Sequence, residues 1–155
     1  MIMDGSQISL LKHAGRFTAL LTLLKIGLLV LGVLSNTILG VELSIGFTSY
    51  MMGMFAGYWV GKTIYNRHDV YLEGFILLKL TGLCLVGALI LEGVITTIIV
   101  FGDPSKGQIL NDVNTLFFAV LFFAFFKFGT IWLGLKLGCK RAEKKAYKRA
   151  LKAIG

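Results

Sequence analysis

The sequence predicts an all-α, polytopic membrane protein: a four-transmembrane-helix bundle that ends in a basic, amphipathic cytoplasmic helix. Three observations predict it. Of 155 residues, 56% are hydrophobic and only 15% charged, with a mean hydropathy of +0.80. A soluble domain carries about 25% charged residues, and a chain this short buries only ~70% of its surface, so a soluble core cannot hide this apolar excess. Four apolar runs reach the ~20 residues that cross ~30 Å of hydrocarbon, and short polar connections separate them. Finally, seven of the sixteen Lys and Arg fall between Lys140 and Lys152, so the net charge of +8 is mostly that of a tail.

The runs are residues 17–39, 45–65, 74–101 and 115–135, making 1–136 the bundle and 137–155 the tail. Lys12 and Arg16 precede the first run like the start of a signal peptide, but the run is long and lacks a clean cleavage site, so it is read as a retained span. Residues 8–16 are expected to form a short interfacial lead-in. The third connection holds the only proline, Pro104, with Gly102, Gly107 and Asn111, which is turn chemistry.

Orientation follows from basic residues, which are enriched in cytoplasmic loops. Lys12, Arg16, Lys62, Arg67 and the tail from Lys136 onward put twelve on one side, against Lys106 alone on the other. The expectation is a bacterial inner-membrane protein with both termini in the cytoplasm. Tyr58, Trp59, Tyr65, Tyr71 and Trp132 fall toward the inner headgroup level.

Only the second run is free of charge along most of its length; the others contain Lys25, Lys79, Glu92 and Lys127. A charge at the bilayer centre costs roughly 2.5–3.5 kcal/mol on insertion scales. Lys79 lies about 8 Å from its helix end, within snorkelling reach of the headgroups. Lys25 and Lys127 lie about 12 Å inside their cytoplasmic ends and Glu92 about 13 Å below the outer end, so the three approach one level. Each shares a helical stripe with small or polar residues: Thr18, Thr22 and Gly32; Thr81, Cys84 and Ala88; Ala124, Thr130, Gly134 and Gly138. The expectation is that Glu92 pairs with Lys127 or Lys25, chiefly to fix helix register. Two lysines against one glutamate leave a surplus positive charge.

Gly53, Gly57 and Gly61 form a glycine zipper in the second run. Such a groove serves either packing inside the bundle or a homo-oligomer contact, and the spacing favours neither. The seven phenylalanines between Phe117 and Phe128 run round the fourth helix and suit lipid and packing. In the tail, Lys140, Arg141, Lys144, Lys145, Lys148, Arg149 and Lys152 accompany a helical Ala/Leu/Ile stripe. Anionic lipid headgroups are the first expected partner and a cytoplasmic protein with an acidic face the second. Direct nucleic-acid binding ranks last, because no recognised module accompanies the charge.

No phosphate loop, nucleophile elbow or zincin helix is present. His13 and His68 lie in different segments, and Asp69 and Glu73 are expected to pair with Arg67 and Lys62. Cys84 and Cys139 form no redox or metal motif. No catalytic residue, metal site or cofactor is expected, and the chain is not read as an enzyme.

From Gly53 to Glu92, a glycine-bearing second span is followed by a loop with Arg67 and by Glu73 opening a leucine-rich third span. This segment resembles a family of small four-span inner-membrane proteins common in gammaproteobacteria, without the loop proline of that family. The resemblance implies a topology and no activity. Small bacterial proteins of similar plan serve in phage defence (the membrane subunit of Kiwa systems among them), colicin immunity and superinfection exclusion. The function expected is therefore an oligomeric accessory or sensor subunit acting through protein contacts, in phage defence or in immunity or exclusion. The alternative is a small ion channel or transporter built on Lys25, Glu92 and Lys127.

Overall fold

The computed structural model describes residues 9–39, 45–102 and 113–154. It is all-helical: α1 (Leu10–Leu39), α2 (Ile45–His68), α3 (Gly74–Gly102) and α4 (Val113–Ile154). The lead-in expected before the first span is not separate, because α1 runs unbroken from Leu10. The connection holding Pro104 and Lys106 lies outside the described residues.

Among the described residues, three helices are long and apolar enough to cross a membrane, with candidate spans Leu10–Ser35, Gly74–Ile98 and Phe117–Lys152. This corrects the four-span expectation. The second run is nearly free of charge, but freedom from charge is not apolarity. Four glycines, Thr48, Ser49, Thr63, Asn66 and three tyrosines leave α2 short of what a free-standing span requires. It joins the bundle as a helix held by α4.

Matched contacts give the helix directions. Gly53 lies against Ile131 and Gly61 against Leu135, while Gly134 meets Met54 and Gly138 meets Tyr58. Hence α2 and α4 run parallel and in close contact. In the same way Thr18 meets Gly87 and Lys25 meets Glu92, which makes α1 parallel to α3. The start of α1 meets the end of α2 where the His13 and His68 rings approach edge-on at 5.8 Å. At the turn after α2, Asp69 takes a φ of 50° and donates its N–H to the Tyr65 carbonyl at 2.8 Å, a left-handed helix end that Asp tolerates. The turn tucks Leu72 under the bundle, and its backbone reaches Cys139.

Apolar burial is concentrated toward this end. Phe17, Leu21, Ile64, Leu80, Ile131 and Leu135 are fully enclosed. Beyond Lys25, Glu92 and Lys127 the apolar side chains turn outward, among them Leu29, Leu31, Val94, Ile98, Phe118 and Phe122. That division suits a chain whose outer half is solvated by lipid, because lipid tails are as apolar as leucine and give helices no hydrophobic reason to close.

Candidate functional site: a carboxylate shared by four helices

The structure brings Lys25, Glu92 and Lys127 together. Lys25 Nζ donates to Glu92 Oε1 at 2.9 Å, and Lys127 Nζ donates to the same oxygen. Ser49 Oγ donates to it as well, at 3.0 Å, while Lys127 Nζ reaches Ser49 Oγ at 3.5 Å. One carboxylate oxygen is thus the meeting point of α1, α2, α3 and α4. No charge pattern in the sequence points to Ser49, because α2 carries no charged residue at that height. The signal available was its spacing of four from Gly53, which continues the zipper stripe upward.

Burial is uneven. The Lys127 side chain is 4% exposed and that of Glu92 32%. A lysine so enclosed needs its anion, since removing one partner of a buried pair leaves an uncompensated charge. The cluster therefore clamps the helices where the packed half of the bundle gives way to the open half. Lys79, which lies lower on α3, instead bends back over the Phe75 ring at 4.4 Å. That direction leads toward the helix start, as snorkelling requires.

The glycines of α2 are used inside the chain. A Cβ on Gly57 would sit 2.9 Å from the Ile131 carbonyl oxygen, and one on Gly61 would strike the Leu135 carbonyl. Gly134 and Gly138 return the fit, with Met54 and Tyr58 backbone where their side chains would be. The Cys139 thiol donates to the Gly61 carbonyl at 3.2 Å across this seam. Packing within the bundle is thus the use the structure makes of the stripe; Gly53, with only ordinary contacts at 3.7 Å, is its loosest member.

The seven tail residues from Lys140 to Lys152 are exposed along α4, which passes residues 136 and 137 without a break. His13 and His68, which no spacing or motif links, share the same end of the bundle as that tail. His13 is buried and its Nδ1 has no hydrogen-bond partner among the described residues. The expected pairing of Asp69 and Glu73 with Arg67 and Lys62 is not found: the ion pairs among the described residues are those at Glu92. The described residues contain no group of three His, Cys, Asp or Glu able to hold a metal.

No protein-family model matches this chain, and neither a curated protein nor a solved structure matches it.

Proposed function

We propose that the chain is a non-catalytic accessory subunit of the bacterial inner membrane that presents a rigid basic helix to a partner at the cytoplasmic face. One observation carries this reading: α4 is a single 42-residue helix running from the apolar zone, past the Glu92 clamp, into the exposed basic tail. A helix clamped at Lys127 transmits its position to residues 145–152 without a hinge. The basic end faces the cytoplasm in this reading, supported by Lys12, Arg67 and Lys140 lying at one end of the bundle. Self-association belongs to the same proposal. It uses the outward apolar faces of α1 and α4, since α4 already fills the glycine stripe of α2.

Photo-crosslinkers placed at Lys145, Lys148, Arg149 and Lys152 of the full chain in cells test the protein contact. A defined protein adduct, lost when three of these positions are reversed to Glu, is the expected result. Adducts with lipid alone would remove the docking role.

A second reading, a small channel or transporter, is favoured by one feature. Two lysines face one glutamate, a formal surplus of +1, and that glutamate is partly exposed. Ion flux in liposomes, abolished by Glu92→Gln, would support it over the accessory role.

A further inference from the structure

We propose that an open groove between α2 and α4 at the basic end is a binding site for one anionic phospholipid. The groove has a volume of about 630 Å³. Its floor is apolar, made by Met54, Phe55 and Leu137 around the bare backbone of Gly134. Its other end is formed by Lys140, Arg141 and Lys144, with Tyr58 between the two zones. From Gly134 to Lys144 the helix rises about 15 Å, so acyl-chain surface and cationic surface follow each other within one lipid's reach.

Two features choose this occupant over an acidic protein. The polarity of the groove runs along the bundle axis in the sense of the bilayer, with its apolar end toward the Glu92 level and its basic end toward the tail. An inner-leaflet lipid enters that way round, chain first toward the midplane. In addition, the three cations make no ion pair among the described residues, and Glu143, the one acid of the tail, lies within electrostatic reach of Tyr65 and Tyr71. The groove thus offers uncompensated positive charge to a phosphate. Basic pockets between helices on the cytoplasmic side are where anionic headgroups bind.

The inference rests on the membrane orientation proposed above, but not on any protein partner. It is tested by native mass spectrometry of the delipidated full chain in detergent, titrated with phosphatidylglycerol or phosphatidylcholine. Each basic group near an anionic surface contributes roughly fivefold in affinity. Replacing Lys140, Arg141 and Lys144 together by Gln should therefore weaken phosphatidylglycerol binding by about a hundredfold. Replacing Lys145, Arg149 and Lys152 by Gln removes the same charge outside the groove and should change it less than threefold. Leu137→Gln should weaken binding with every cation in place, and soluble glycerol phosphate should not compete. Equal losses from the two triple variants would reveal diffuse attraction and overturn the site, as would equal affinity for the two lipids or competition by glycerol phosphate. Failure of the crosslinking experiment leaves this result untouched, because no protein partner enters the measurement.

Discussion

Alanine substitution along the glycine stripe of α2 should be graded by position, and the structure sets the order. At Gly53 the added Cβ makes ordinary contacts of 3.7 and 3.8 Å. At Gly57 it falls 2.9 Å from a carbonyl oxygen, where ordinary contact begins at 3.4 Å, so α4 must withdraw by about 0.5 Å. At Gly61 it lies 3.0 Å from Leu135 Cα and closer still to the carbonyl, and backbone cannot rotate aside as a side chain can. Overpacking costs about 1–3 kcal/mol, against which a helical Gly→Ala change returns about 1 kcal/mol of propensity. The expected net effects are none or slight stabilisation at Gly53, a loss of about 1 kcal/mol at Gly57, and about 2 kcal/mol at Gly61. Gly82→Ala and Gly129→Ala open onto free space and serve as controls, neutral or slightly stabilising. Gly138→Ala should add less than its own effect to Gly61→Ala, because a seam already forced apart accommodates the second methyl. Unfolding in mixed micelles by SDS titration, read by far-ultraviolet circular dichroism, measures the series. If Gly61→Ala were as stable as Gly82→Ala, the parallel α2–α4 seam would be wrong.

Other consequences follow from the same geometry. Glu92→Leu strands two lysines and should destabilise by about 3–5 kcal/mol, whereas Lys25→Leu leaves a balanced Lys127–Glu92 pair and should have a markedly smaller effect in the same titration. Ser49→Ala removes a hydrogen bond to a charged group and should lower stability by about 1.5–3 kcal/mol; an unchanged midpoint would take α2 out of the clamp. Cys84 and Cys139 are both fully enclosed, so a maleimide should leave them unmodified in the folded protein and label both after denaturation.

The charge cluster is legible because depth is arithmetic: at a fixed rise per residue, Lys25, Glu92 and Lys127 fall within one or two turns of one another in height. Ser49 is not, since a neutral hydroxyl has no insertion penalty large enough to demand a partner. Both halves of the α2–α4 seam were visible as small-residue stripes, Gly57 with Gly61 and Gly134 with Gly138. Periodicity states that a face is narrow, however, and not which helix fills it. The number of membrane-crossing candidates differs from the expectation because α2 is nearly free of charge yet rich in glycine, hydroxyl and phenol groups, which lower its apolarity without marking it. His13 and His68 stand 55 positions apart and meet only because two helix ends are brought into register, which no local pattern encodes.

Apart from Lys25 and Lys127 at the clamp, the basic residues of the described helices gather at one end of the bundle, the end proposed to face the cytoplasm. Single cysteines at Lys12, Arg67 and Lys140, in a chain whose own cysteines are replaced by alanine, test it with a membrane-impermeant maleimide on oriented vesicles. All three should react in inverted vesicles and none in right-side-out ones. Labelling of any one of them from the opposite face would show that these residues do not share the cytoplasmic side.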